Sequence, residues 1–130
     1  MNMPKKILVV DDDPELIGVL KTELAKAGFE TLYAAEGEQG IELAKTEHPD
    51  LILADIVMPR MDGLQMIKKI KAAPETANTP IIILTNLSEV DPLGKAFDLG
   101  VHDYFVKSKS DPKELVQKIQ QRLSDDWQPA

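Results

Sequence analysis

The chain of 130 residues has no cysteine, which excludes disulfides and thiolate metal ligands and fits a reducing compartment. Long apolar runs are also missing: the longest, such as Ile7-Leu8-Val9-Val10 and Ile81-Ile82-Ile83-Leu84, have four residues, against the ~20 that a helix needs to cross a bilayer. The basic amino terminus, Met1-Asn2-Met3-Pro4-Lys5-Lys6, enters a short strand-like segment instead of a long apolar stretch with a cleavage site. A cytoplasmic location without membrane contact is therefore expected. Positive charge is in deficit, with 15 Lys and Arg against 22 Asp and Glu and a net charge of −7, which opposes binding to the phosphate backbone of nucleic acid. Repeats, low-complexity tracts and Gly/Ser linkers are lacking, and no output domain is expected within these residues.

What is present suits one core. Hydrophobic residues make up 43% of the chain, enough for a single compact unit at this length. Five short runs rich in Ile, Val and Leu alternate with segments of helical period, the signature of repeated β-α units around a parallel sheet. Strands are expected near Lys6–Val10, Glu30–Ala34, Leu51–Ala54, Ile81–Leu84 and Asp103–Val106. The first, third and fourth lack polar alternation, so they should be central and covered on both faces. The first helix should open at the N-cap Asp13, with Pro14 in its first turn, and stop at Gly28; the last should open at Asp111-Pro112-Lys113-Glu114. Helices two and three are expected near Glu38–Glu47 and Leu64–Ala72. Pro92 and Gly94 limit the fourth to a short helix starting near Asp91. Right-handed crossovers with helices on both faces give a doubly wound α/β fold, for which the flavodoxin-like order 2-1-3-4-5 is the usual five-strand solution.

In such a sheet, ligands sit at the carboxyl ends of the strands where the order reverses. Strand one ends in Asp11-Asp12-Asp13 and strand three in Asp55. Asp13 is explained as an N-cap, but Asp11, Asp12 and Asp55 together are costly neighbours unless a cation sits among them. Mg²⁺ fits, because it takes oxygen ligands and bridges carboxylates to phosphoryl oxygens. Strand four brings Thr85 to the same edge and strand five brings Lys107. Either alone would pass for an ordinary strand-end hydroxyl or surface lysine. Jointly, three carboxylates, one divalent ion and one ammonium balance to zero formal charge and could accept a phosphoryl dianion. An Asp-rich first loop would repel the phosphates of a nucleotide or flavin, whose modules present glycines or hydroxyls there.

Ile7 to Pro14, Asp50 to Asp55, Met58-Pro59-Arg60-Met61-Asp62-Gly63, Ile82 to Thr85 and Asp103-Tyr104-Phe105-Val106-Lys107 resemble, in order and spacing, the receiver domain of two-component response regulators in its CheY-like single-domain form. The resemblance spans nearly the whole chain, with residues 1–125 as the receiver domain and 126–130 as a C-terminal tail. It implies a phosphorelay switch and not a substrate-converting enzyme. Asp55 would be the phospho-acceptor, Asp11 and Asp12 the Mg²⁺-holding pair, Thr85 the switch hydroxyl, Tyr104 the switch aromatic and Lys107 the phosphate-pairing lysine, with Val57 offering Mg²⁺ its backbone carbonyl. The implied donor is a phosphohistidine on a sensor histidine kinase or histidine phosphotransfer protein. A downstream effector would read the altered surface, and a phosphorylation-linked homodimer is compatible with it.

Four positions depart from the family pattern. Ser108 replaces the proline, commonly cis, that usually follows the lysine; a cis bond without proline costs ~3–4 kcal/mol, so this loop is either strained or differently routed. Val57 and Leu87 are apolar where the family flanks the path of attacking water, which implies slow hydrolysis of an acyl phosphate. Asn86 stands where a small residue is usual. An aspartate-nucleophile phosphatase would need a second Asp at position 57, while a receiver-like scaffold working by contacts alone would tolerate Asn86 and Ser108. His48, His102, the lysines 68, 69 and 71, and Trp127 are read as surface or tail residues, and Asp62-Gly63 as the turn opening helix three, Gly63 tolerating an unusual backbone angle.

Overall fold

The computed structural model describes residues 4–56, 63–85, 90–101, 103–107 and 111–124. Ten elements alternate along the chain: β1 (Lys6–Val10), α1 (Pro14–Lys26), β2 (Glu30–Ala34), α2 (Gly37–Glu47), β3 (Leu51–Asp55), α3 (Gly63–Ala72), β4 (Ile81–Thr85), α4 (Val90–Asp98), β5 (Asp103–Val106) and α5 (Pro112–Leu123). All strand pairs are parallel, in the order β2-β1-β3-β4-β5. This is the expected doubly wound, CheY-like fold.

Period-two alternation splits the strand residues between two cores. Leu8, Val10, Ile52, Ala54, Ile81 and Ile83 face α2, α3 and α4, where Ala44, Met66, Ile67, Ile70 and Ala96 meet them. Ile7, Val9, Leu51, Leu53, Ile82 and Leu84 face α1 and α5, meeting Leu20, Leu24, Leu115 and Ile119. The unbroken apolar runs of β1, β3 and β4 follow from this, because a strand covered on both sides has no face left for polar residues. All five residues of β3 and of β4 are buried.

The helix ends follow local chemistry. Asp13 Oδ1 accepts the N–H groups of Glu15 at 3.0 Å and Leu16 at 3.4 Å, and Asp111 Oδ1 accepts that of Lys113 at 2.9 Å. Gly28 and Gly100 take φ of 88° and 92° just past α1 and α4, the left-handed turn that ends a helix most easily at glycine. His48 performs the same role after α2 at φ 49° despite its Cβ. Gly63 differs from expectation: it is not among the positive-φ glycines but is the first residue of α3, packed tightly against the end of β3. Steric closeness, and not an unusual backbone angle, is what calls for glycine there. Helix α4 is the shortest of the five at nine residues and begins one residue before the expected Asp91. No cis peptide bond occurs among the described residues; Ser108 lies outside them.

Candidate functional site

The strand register brings the site together. Val10 pairs with Ala54, so Asp11 leaves β1 beside Asp55 at the end of β3. Asp55 itself pairs with Leu84, and Thr85 pairs with Val106, which puts Thr85 and Lys107 at the same carboxyl edge. Two backbone bonds extend the ladder into the site: Asp11 N–H donates to the Ala34 carbonyl at 3.0 Å, and Lys107 N–H to the Thr85 carbonyl at 2.8 Å. The groups of the candidate site thus hang from paired backbone and not from free loops.

Asp11 is fully buried, while Asp55 and Thr85 are 3% and 2% exposed. Asp12 is exposed at the rim. One oxygen from each of Asp11, Asp12 and Asp55 lies within 4.8 Å of the others. Lys107 Nζ stands 2.8 Å from Asp11 Oδ2 and 3.2 Å from Asp55 Oδ2, clamping the two buried carboxylates. The other Asp11 oxygen accepts the Asp13 N–H at 2.9 Å. Asp11 Oδ2 is fully buried and has the Lys107 ammonium as its charge partner.

Burial would by itself lower the Lys107 pKa. The Asp11 oxygen against its ammonium and the charges of Asp55 and Asp11 outweigh that desolvation, and the net direction is upward from the ordinary 10.5. Lys107 is therefore a fixed cation at neutral pH. Three carboxylates and one ammonium leave a formal −2 at the cluster. An all-oxygen donor set of three carboxylates with residual negative charge suits a hard divalent cation, so the residues present fit Mg²⁺.

Tyr104 lies elsewhere. It is 42% exposed, its neighbour along β5, Phe105, is buried, and its ring sits 6.2 Å from that of Phe97 on α4, tilted by 46°. The pair forms an aromatic step on the surface between α4 and β5. Phe97 was not anticipated, since one aromatic in a nine-residue helix carries no periodic signal of a partner across the fold. Val57, Asn86 and Leu87 lie outside the described residues.

A 2-1-3-4-5 parallel sheet carrying buried aspartates, a threonine and a lysine at its carboxyl edge defines a receiver-type signalling domain. The family model of the response regulator receiver domain matches residues 7–120, and the chain belongs to that family. The probable transcriptional regulator ycf27 of Porphyridium aerugineum is 38% identical over 92% of this chain and 48% of its own length; the chain spans about half the length of the curated relatives it matches. The chemotaxis response regulator CheY4 of Vibrio cholerae superposes with a TM-score of 0.84 at 27% identity, over 93% of this chain and all of that one. The receiver domain of the sensor histidine kinase PA1611 from Pseudomonas aeruginosa PAO1, solved with a magnesium ion coordinated in its active-site cleft, superposes at 0.83 with 28% identity, over 92% and 97% of the two chains. Among the described residues no helix is long and apolar enough to cross a membrane.

Proposed function

We propose that this receiver domain is a phospho-acceptor switch in which Asp55 takes a phosphoryl group from a phosphohistidine on a sensor histidine kinase or a histidine phosphotransfer protein. The observation that carries this reading is the Lys107 clamp, a half-buried ammonium shared by the buried carboxylates of Asp11 and Asp55 at the topological switch point. Asp11, Asp12 and Asp55 would hold Mg²⁺, with the Val57 carbonyl as a further ligand by family resemblance. When bound, Mg²⁺ supplies positive charge to the transferring oxygens.

A carboxylate is a weak nucleophile toward phosphorus, so alignment and charge neutralisation must supply most of the rate. An Asp55 oxygen forms the new O–P bond as the P–N bond of the phosphohistidine breaks, and the imidazole nitrogen leaves with the electron pair. Lys107 is already within reach of Asp55 and neutralises a phosphoryl oxygen without further reorganisation. Thr85, buried beside Asp55, donates its hydroxyl to another oxygen and moves inward. Space vacated by Thr85 admits the Tyr104 ring, which leaves its step against Phe97 and changes the α4–β5 surface that an effector or a second copy reads. Transfer to and from Asp55 is the domain's own chemistry, and no separate substrate is turned over. The net charge of −7 works against direct contact between this domain and nucleic acid.

Intact-mass spectrometry after incubation with acetyl phosphate and Mg²⁺ tests the reading. A single phosphoryl adduct is expected in the wild type, and none in Asp55→Asn or without metal. The absence of any adduct, even with a competent phosphohistidine donor, would instead favour a scaffold that works by contacts alone.

A further inference from the structure

Gly63 opens α3 directly behind β3, and several signs of close approach coincide there. It is buried, and its N–H donates to the Ile56 carbonyl at 2.7 Å. A Cβ placed on it would overlap the Asp55 carbonyl oxygen and would stand 2.6 Å from Ile56 Cα and 2.9 Å from the Asp55 carbonyl carbon. All three are backbone atoms, so none can swing aside as a flexible side chain does. The contrast with other glycines is plain: Gly18 and Gly94 meet nothing within 4 Å, and Gly40 meets only the side chains of Met66 and Val10. Since Gly63 has no positive φ, its identity answers to this contact and not to a turn.

We infer that Gly63 is a positioning residue for Asp55: by letting the first turn of α3 seat on the Asp55–Ile56 backbone, it fixes where the Asp55 carboxylate stands relative to Asp11 and Lys107. The inference rests on the phospho-acceptor reading above. The Asp55 side chain leaves the very residue whose carbonyl a methyl group at 63 would strike, so relief of that clash must move either α3 or the end of β3. Lys107 Nζ lies 3.2 Å from Asp55 Oδ2 and Thr85 is buried alongside, and a displacement of about 1 Å in such a constellation costs up to about a hundredfold in rate.

The test compares Gly63→Ala with Ile67→Ala, which loosens the same helix from its core through a fully buried side chain. Both are measured at a temperature where circular dichroism shows each fully folded. The expected result is a fall of between about tenfold and a hundredfold in the Mg²⁺-saturated rate of uptake from acetyl phosphate for Gly63→Ala, with weakened Mg²⁺ binding by calorimetry and shifted Asp55 and Ile56 amide resonances. Ile67→Ala keeps the wild-type rate and those resonances. Wild-type behaviour of Gly63→Ala, or equal slowing in both variants, overturns the inference. Failure of the wild type to take up any phosphoryl group defeats the phospho-acceptor reading instead, and calorimetry and the amide resonances then decide the positioning role. Should Gly63→Ala fail to fold, hydrogen exchange in the wild type decides: protection of the Gly63 N–H equal to that of β3 amides supports the anchor, and exchange as fast as an exposed loop refutes it.

Discussion

The two ends of the β3-β4-β5 half of the sheet are built on opposite terms. At β3 and β4 every residue is buried, and Asp55 and Thr85 close strands that have a neighbouring strand on each side. At β5 the sheet has an edge, α4 is the shortest helix, and Tyr104 and Phe97 sit 42% and 37% exposed against each other. The candidate site is thus anchored in the buried middle of the sheet, whereas the surface that would report it lies at the sheet's edge, where rearrangement costs least. A receiver needs both properties, because a charged site must hold atoms in place while an output surface must have somewhere to move.

Substitutions can break that contrast, beginning with the interior. Leu53→Ala, which empties a fully buried position of β3, should destabilise the protein by about 2–5 kcal/mol in urea unfolding. Tyr104→Ala should stay within about 0.5 kcal/mol in the same assay, because the ring is half-exposed and leans on Phe97, which is itself partly exposed; a large loss there would mean that the edge is as stiff as the centre. Between them falls His48→Gly. Removing a Cβ from a left-handed helix stop at φ 49° should raise stability by about 1 kcal/mol, read as an increase in the urea midpoint.

Smaller and confined to the site is the effect of pH. The Lys107 pKa is raised in the fold, so its contribution is fully present below the ordinary 10.5 and is lost as pH climbs through the higher folded value. Metal-free wild type should therefore lose stability above about pH 10.5 more steeply than Lys107→Met does, and parallel curves would show that the clamp adds nothing. A further kinetic prediction concerns the apolar residues Val57 and Leu87: their joint replacement by Ala should shorten the lifetime of the phosphorylated state, measured by loss of the mass adduct, and an unchanged lifetime would remove them as barriers to water.

Most of the fold could be read from the sequence because burial on both faces of β1, β3 and β4 leaves uninterrupted Ile, Val and Leu, and because Asp13-Pro14 and Asp111-Pro112 mark helix starts by a mechanism that needs no tertiary context. The candidate site was legible for a related reason. In a parallel sheet the last residue of each strand reaches one edge, so Asp11, Asp55, Thr85 and Lys107 could be grouped without coordinates. What escaped depends on distances between elements remote in sequence. Gly63 reads as a turn glycine until the Asp55 carbonyl is seen against it, and the packing of Phe97 against Tyr104 emerges only once α4 lies beside β5. Nor does sequence tell whether Lys107 touches one carboxylate or two; only the register of β1, β3, β4 and β5 together makes it a clamp.

The most direct measurement is the site of modification itself. After incubation with a phosphohistidine donor and Mg²⁺, borohydride reduction converts an aspartyl phosphate to homoserine, and peptide mass spectrometry then locates it. Homoserine at position 55 alone is the predicted result. Reduction at another carboxylate, or at none while the donor loses its phosphoryl group, would contradict the assignment of Asp55 as the acceptor.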